Sequence, residues 1–206
     1  IVAAAICDSR GRSRAELVIV GPSGTVVPAA EVVGAWTAGG SAALGGKLAG
    51  LAIERATALA LAGDVQGIVT APIDKHALFA GGYDFPGHTE MLAALTGSHV
   101  AMMLASDRLR VVLVTTHIAL ADVPRELTRA RIVECAEITR RGLQQLYGIA
   151  EPRLALCALN PHMGDGGRFG AEDDTLRAPA AREANILGPF HADTVFVRAM
   201  RGAFDA

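Results

Sequence analysis

The sequence predicts an α/β fold with a mainly parallel sheet that helices cover on both faces. Short apolar runs alternate along the chain with longer stretches in which apolar residues recur at helical spacing. Hydrophobic residues make up 51% of the chain but aromatic residues only 4%, so alanine, valine and leucine must fill the core. Such a composition favours helices packed closely on a sheet over an aromatic-rich sandwich.

The predicted strands are short apolar runs bounded by glycine, proline or polar residues. Two of them are joined by the polar tip Ser106-Asp107-Arg108, which is short enough for a hairpin and predicts one antiparallel region. Residues 23–40, by contrast, are predicted to be irregular. The predicted strands are residues 16–20, 67–70, 100–104, 110–115, 154–158 and 195–197.

Helical spacing and capping residues predict the helices. Ser41 can cap a helix that runs to residue 61, and Thr128 can cap a longer one that ends at Gly148. The predicted core face of the longer helix consists of Ile132, Cys135, Ala136, Leu143, Leu146 and Tyr147. The other predicted helices are a helix end within residues 1–10, a short helix after Asp74, and helices over residues 89–95 and 172–183.

Charge and cysteine content exclude several classes of function. The net charge is −2 and the chain has no basic run, so a nucleic-acid partner is not expected. Its three cysteines lack paired spacing, which disfavours a disulfide framework or a cysteine zinc site and fits a reducing compartment. Charged residues interrupt the most apolar window, residues 99–118, so no membrane span is expected. Without a recognisable signal peptide, the expected location is the cytoplasm.

Three predicted strands lead into residues that can carry chemistry. Lys75 follows the strand over residues 67–70, His117 follows residues 110–115, and His162 follows residues 154–158. Loops at strand ends form the ligand sites of α/β sheets, so these residues are predicted to share one site. The last loop, residues 159–170, contains four glycines that let backbone amides approach an anion. Its pattern matches neither the Walker nor the Rossmann phosphate loop.

Two explanations of the histidines remain open at this point. Imidazoles are common ligands of zinc and other divalent ions, so His117 and His162, with a third ligand, could form a catalytic metal site. Alternatively, the two histidines only form hydrogen bonds within their loops.

The remaining candidates also have two explanations each. At His88-Thr89-Glu90, a helix start can bind an anion, or Thr89 can simply cap the helix while Glu90 complements the dipole. Lys75 can bind a phosphate or carboxylate, or can be a solvated surface lysine. Asp193 can orient a substrate or cap a turn.

Five segments in a fixed order carry a resemblance to a known family. Together they make the chain, over residues 60–206, closely resemble the 4-hydroxythreonine-4-phosphate dehydrogenase family of pyridoxal phosphate biosynthesis. The segments are TAPIDKHAL (70–78), PGHTEM (86–91), VTTHI (114–118), LNPHMGDGGRFG (159–170) and GPFHADT (188–194).

The resemblance implies a fold similar to isocitrate and isopropylmalate dehydrogenases, with two α/β subdomains in α/β/α layers around a cleft. It implies a cytoplasmic homodimer with the site at the subunit interface. The implied reaction is oxidation and decarboxylation of 4-phosphohydroxy-L-threonine to 3-amino-2-oxopropyl phosphate in vitamin B6 biosynthesis. NAD or NADP would accept the hydride, and a divalent metal (zinc, magnesium or cobalt) would assist.

Site residues follow from the same resemblance. His117 and His162 would be metal ligands, His88 and Thr89 would bind substrate, and Lys75 and Asp193 would be catalytic. Asp74 would lie near the site, and no cofactor-binding residue is assigned. Residues 1–206 are expected to be a single catalytic domain lacking terminal segments of the family, including the one with the third metal histidine.

Other activities are compatible with the same motifs. A related dehydrogenase could act on 4-phospho-threonate, on 4-phospho-erythronate or on an aromatic cis-dihydrodiol carboxylate. A phosphate acyltransferase has a similar fold, and a non-catalytic protein that binds metabolites is a further alternative.

Overall fold

The computed structural model describes residues 15–160 and 162–206, and the chain divides into two compact units, Ile1–Ser98 and His99–Ala206. The helix end predicted within residues 1–10 lies outside the described residues. The described part of the chain contains both helices and strands in each unit, which agrees with the predicted α/β class.

The first unit packs a short parallel strand pair and two short helices against one long helix. Strand β1 (Val20–Ser23) pairs in parallel with β2 (Glu31–Ala35). Helix α1 (Ala42–Ala62) contacts both strands and the helices α2 (Lys75–Ala80) and α3 (His88–Thr96).

Local signals define the ends of α1, as the sequence predicts. The Ser41 hydroxyl accepts a hydrogen bond from Leu44 N at 3.2 Å. At the other end, Gly63 adopts a left-handed conformation (φ 83°) that is far less strained for glycine than for other residues. The helix therefore begins and ends where capping chemistry predicts.

Close packing of α1 against α2 depends on glycine. A Cβ atom added to Gly46 would collide with the backbone carbonyl of Ala77 in α2. Leu78, which is 1% exposed, fills the space beside this contact. Gly46 thus permits an approach of the two helices that a larger residue would prevent.

The second unit contains two strand pairs and a long helix. Strands β3 (Met102–Ala105) and β4 (Arg110–Leu113) form the predicted antiparallel hairpin, and β5 (Ala155–Cys157) pairs in parallel with β6 (Leu187–Phe190). The described helical segments of this unit are the 3-10 turns Leu120–Asp122 and Met163–Asp165, the π-helical turn Asp173–Arg177, and the helices α4 (Val123–Glu126), α5 (Arg129–Tyr147), α6 (Ala178–Glu183) and α7 (Val195–Met200).

Two apolar clusters form the core of the second unit around α5. The first, which we call the upper cluster, consists of Leu127, Ile132, Leu156, Ala180 and Ala181. The second consists of Ala136, Leu143, Leu154 and Ala184. Because Val133 and Ile186 pack against both clusters, the core of this unit is continuous.

The predicted core face of α5 is only partly correct. Ile132, Ala136 and Leu143 are buried as predicted. Leu146 and Tyr147, however, are 79% and 44% exposed. Tyr147 lies at the margin of the covered face, where its ring meets the Arg110 guanidinium and its hydroxyl lies near Met103 Sδ. The spacing of apolar residues predicts which face of a helix is buried, but it does not predict how far along the helix neighbouring elements cover that face.

Three strand predictions need correction, and two strands were not predicted. Residues 195–197 belong to helix α7, of which Val195 is buried while the next two residues are exposed. Residues 67–70 form no strand, and Val69 is 98% exposed. The first strand begins only at residue 20, and β2 lies within residues 23–40, which were predicted to be irregular. Strand β6 was not predicted.

The predicted mainly parallel sheet is also not what the structure describes. The described residues form three separate two-stranded pairs, two of them parallel and one antiparallel. Within the described chain, no helix is both long and apolar enough to cross a membrane.

Candidate active site

In the glycine-rich loop after β5, the Asn160 side chain holds the backbone on which His162 lies. The Asn160 side chain accepts hydrogen bonds from the backbone N–H of His162 (3.2 Å) and of Gly164 (2.8 Å). Gly164 is buried in a left-handed conformation (φ 73°), and an added Cβ atom would collide with the carbonyl oxygen of Gly170. The loop is therefore folded back on itself, with the His162 side chain at an exposed position.

A buried ion pair lies at the base of this loop. Asp173 Oδ1 accepts a hydrogen bond from Leu159 N at 2.9 Å and lies 3.1 Å from Arg177 Nε. The two residues are 2% and 7% exposed. Burial lowers the pKa of the Arg177 guanidinium below its ordinary value, and the charge of Asp173 opposes that effect.

His117 follows β4 by four residues and has an unusual backbone. Its φ of 56° lies in the left-handed region, which non-glycine residues seldom adopt and which is found more often at functional sites. The Cys135 thiol donates to the carbonyl of Leu113 (3.7 Å), which ties the end of β4 to α5.

The segments that carry His117 and His162 start from the same apolar cluster. Val114, three residues before His117, and Leu159, three residues before His162, both pack against the upper cluster. Both imidazoles belong to exposed residues of the second unit. The residues that precede the two predicted metal-ligand segments therefore pack against one cluster.

The described residues do not form a complete metal site. They contain no group of three or more histidine, cysteine, aspartate or glutamate residues placed to hold an ion. Two imidazoles suit zinc or cobalt, but a catalytic zinc site usually has three protein ligands. The donor set of the described chain therefore fits part of such a site.

His88 and Thr89 lie in the first turn of α3, whose N-cap is Gly87. Because glycine has no side chain, no side chain caps this helix, and the explanation that Thr89 is the cap is wrong. Met91, which is completely buried, fixes the helix on its unit. Glu90 lies in the first turn and complements the helix dipole, as the same explanation expected. His88 and Thr89, in that turn, are donors that would suit an anion.

Lys75 is the first residue of α2, and its side chain is exposed. Asp74 caps the same helix by accepting a hydrogen bond from Ala77 N at 3.0 Å. Asp74 therefore has a structural role that accounts for its position before a helix.

Asp193 is exposed in the turn between β6 and α7. His191 O accepts hydrogen bonds from Thr194 N (3.3 Å) and Val195 N (3.1 Å), so neighbouring residues close this turn. The Arg198 guanidinium stacks on the rings of Phe190 and Phe204, at 4.5 and 4.9 Å, and fixes the strand and helix on either side.

The candidate residues divide between the two units. Lys75, His88 and Thr89 belong to the first unit, whereas His117, His162 and Asp193 belong to the second. We predict that these six residues share one site, and this stays a prediction.

Sequence reasoning noted Asn160 as a polar residue before His162 but not its role in folding the loop, and it missed Asp173 and Arg177. The Asn-Pro pair directly after a predicted strand was a signal for a side chain that folds the loop. The sequence also shows an acidic and a basic residue four positions apart, Asp173 and Arg177, but such pairs usually lie on exposed helix faces.

Comparison with known proteins identifies the family. Residues 8–206 match the family model described as pyridoxal phosphate biosynthetic protein PdxA. The chain is 51% identical over 161 residues to 4-hydroxythreonine-4-phosphate dehydrogenase of Geobacter metallireducens, covering 75% of this chain and 47% of that protein. It is 48% identical over 160 residues to D-threonate 4-phosphate dehydrogenase of Cupriavidus necator, covering 74% of this chain and 48% of that protein.

A solved structure agrees with these sequence matches. The crystal structure of 4-hydroxythreonine-4-phosphate dehydrogenase from Klebsiella pneumoniae is 38% identical, with a TM-score of 0.76 over 93% of this chain and 64% of that one. The chain spans about half the length of the curated relatives that it matches. The match of the family model over almost the whole chain shows that this protein belongs to the PdxA family of pyridoxal phosphate biosynthesis.

Proposed function

We propose that this chain is part of a dehydrogenase that oxidises 4-phosphohydroxy-L-threonine to 3-amino-2-oxopropyl phosphate, with loss of carbon dioxide, in vitamin B6 biosynthesis. The observation that carries the proposal is the placement of His117 and His162 on two loops that start from one apolar cluster, in a chain of this family. The relative from Geobacter metallireducens is named for this substrate.

His117 and His162 would hold a divalent cation, zinc, magnesium or cobalt, together with a third ligand from outside the described residues. A bound divalent ion lowers the pKa of a coordinated hydroxyl and stabilises negative charge that develops on a neighbouring oxygen. The contribution of the chain is to fix the two imidazoles: Asn160 folds the loop of His162, and the contact of Cys135 with Leu113 holds the strand before His117.

The phosphate of the substrate would bind at the start of α3. The first N–H groups of a helix have no partners within the helix, and the helix dipole favours a negative charge there. His88 and Thr89 add a side-chain donor each, at positions that are only half-buried. This helix start would anchor the substrate at the end remote from the reacting hydroxyl.

Lys75 and Asp193 would complete the catalytic groups. The Lys75 ammonium would hold the substrate carboxylate or take part in proton transfer at the reacting hydroxyl, and Asp193 would orient the substrate amine. A bound NAD or NADP would accept the hydride, and the chain would supply orientation and electrostatics.

The assembly of the site follows the same proposal. Residues 1–206 would form one catalytic domain of the isocitrate dehydrogenase-like class, with α/β subdomains around a cleft. The active form would be a cytoplasmic homodimer with the site at the subunit interface.

The test uses the full-length gene product and monitors NADH formation by its absorbance. 4-Phosphohydroxy-L-threonine should give metal-dependent turnover that chelation abolishes and that His162→Ala lacks. The matched control is His99→Ala, because His99 is an exposed histidine that pairs with Glu134 on α5. Absence of turnover by the metal-loaded protein would overturn the proposal.

A second substrate is supported by a specific observation. The relative named D-threonate 4-phosphate dehydrogenase is nearly as similar, at 48% identity, as the relative named for the amine-bearing substrate. Both substrates carry a phosphate that the start of α3 would bind, and they differ in the group beside the reacting hydroxyl. Running 4-phospho-D-threonate in parallel distinguishes the two by their kcat/KM values.

A further inference from the structure

The Asp173–Arg177 ion pair is buried where an apolar pair would be expected. Asp173 is 2% exposed and Arg177 is 7% exposed, and Leu176, between them in the chain, packs against the upper cluster. Burying two charges costs desolvation energy that their attraction often fails to recover, and apolar residues of similar size are frequently as stable. Stability alone therefore does not account for the pair.

The Asp173 carboxylate contacts the first residue of the histidine loop. Both Leu159 N and Arg177 Nε approach the same carboxylate oxygen, Oδ1, at 2.9 and 3.1 Å. The second oxygen, Oδ2, is buried and makes no hydrogen bond with the part of the chain that the structure describes. Arg177 Nε is off the line of a hydrogen bond, so the pair is held by charge while the directional bond goes to Leu159.

The local backbone supports this arrangement. Asp173 and Arg177 are the two ends of a π-helical turn, in which Ala178 N donates to Asp173 O. Single π-turns inside helical segments are rare and occur often at functional sites. The turn places an acid at the start of a helical segment, next to the end of β5.

Three links connect this pair to His162. Asp173 holds Leu159 N, Leu159 precedes Asn160, and the Asn160 side chain holds the N–H groups of His162 and Gly164. The His162 side chain is exposed, so packing does not fix it. The position of its imidazole depends on the backbone of the loop.

We infer that Asp173, locked by Arg177, is the positioning residue that holds the His162 loop in its ligand-binding conformation. The inference rests on the proposed metal-binding function of His162. Asp173 itself would not touch the metal or the substrate. It acts through Leu159 and Asn160.

The test compares Asp173→Asn with Asp174→Asn in the protein as it is encoded. Asp174 is the adjacent residue and is exposed, so its substitution controls for a change of charge. The first readout is amide hydrogen exchange of Leu159 and Gly164 in the metal-free protein. The second is the affinity and visible absorption spectrum of bound Co²⁺.

Asp173→Asn should speed amide exchange at both positions and weaken Co²⁺ binding by about tenfold or more, the effect typical of outer-shell partners of metal ligands. The Co²⁺ absorption bands should also change, because they report the ligand geometry. Asp174→Asn should match the wild type in every respect. Unchanged exchange and affinity in Asp173→Asn would overturn the inference.

A second variant covers the case in which Asp173→Asn does not fold because Arg177 is left unpaired. The double substitution Asp173→Leu with Arg177→Met removes both charges together and should fold. It is expected to show the same faster exchange and weaker Co²⁺ binding, and wild-type behaviour would contradict the inference. If the wild-type protein binds no Co²⁺, the proposed function fails, whereas the exchange data still decide the role of Asp173.

Discussion

Thr89 lies in the first turn of α3, where its hydroxyl can donate to an anion bound by the helix amides. Thr89→Val should therefore raise the KM for the phosphorylated substrate by about tenfold with little change in kcat, since one hydrogen bond to a charged group is lost. Steady-state kinetics check this. Thr96→Val is the matched control, because the Thr96 hydroxyl donates to Leu92 O within the same helix. An unchanged KM in Thr89→Val would contradict the phosphate site.

Asp205 gives a prediction of pH dependence. Its carboxylate accepts hydrogen bonds from Arg153 N, Nε and Nη2 at 2.8, 3.1 and 3.0 Å, and these bonds hold its pKa below the ordinary value. A lowered pKa in the folded state stabilises the protein above the unfolded-state pKa, and the effect is lost as the pH falls through the folded-state pKa.

The substitution Asp205→Asn should consequently destabilise the protein at pH 7 by about 1 kcal/mol. The difference from the wild type should shrink as the carboxylate protonates in acid. Denaturant unfolding at a series of pH values measures it. A difference that stays constant from neutral to acid pH would show that the carboxylate charge is not involved.

At this scale the sequence provides candidate site residues, whose roles stay predictions, but not the residues that support them. The His88-Thr89-Glu90 motif alone favours Thr89 as a helix cap, and the structure excludes this because the N-cap of α3 is Gly87. Asp173 and Arg177 could not be predicted, since only docking of the helical segment against the end of β5 reveals that they are buried.

At the scale of elements, the contact between α1 and α2 depends on Gly46. Gly46→Ala should destabilise the protein by about 2–3 kcal/mol, because the added methyl group meets the backbone of Ala77 and the helices must move apart. Gly142→Ala is the control: Gly142 lies within α5 and an added Cβ atom meets nothing within 4 Å.

The control variant should gain up to about 1 kcal/mol from the higher helix propensity of alanine. Thermal or denaturant unfolding measures both variants. Equal stability of Gly46→Ala and the wild type would mean that the two helices are not packed as closely as the structure describes.

Helices were predicted better than strands for a physical reason. Helix ends are encoded locally, as the caps at Ser41, Asp74 and Thr128 show. A strand exists only where a partner pairs with it. Residues 67–70 have the composition of a strand without a described partner, whereas β6, which contains Pro189, became a strand by pairing with β5.

At the scale of the whole molecule, the family was predictable and the complete site was not. Five motifs in order identified the family, and its match covers residues 8–206. The proposed metal centre, by contrast, needs a ligand beyond the two histidines, and the described residues hold no cluster of three. The candidate residues lie in both units, and that they form one site stays a prediction.

The most direct test of the account is the affinity for Co²⁺ or Zn²⁺ of His117→Ala and His162→Ala, measured by calorimetry beside His99→Ala. If the two histidines hold one ion, each of the first two variants should bind at least about a hundredfold more weakly, and His99→Ala should bind like the wild type. Wild-type affinity in either His117→Ala or His162→Ala would contradict a shared metal centre.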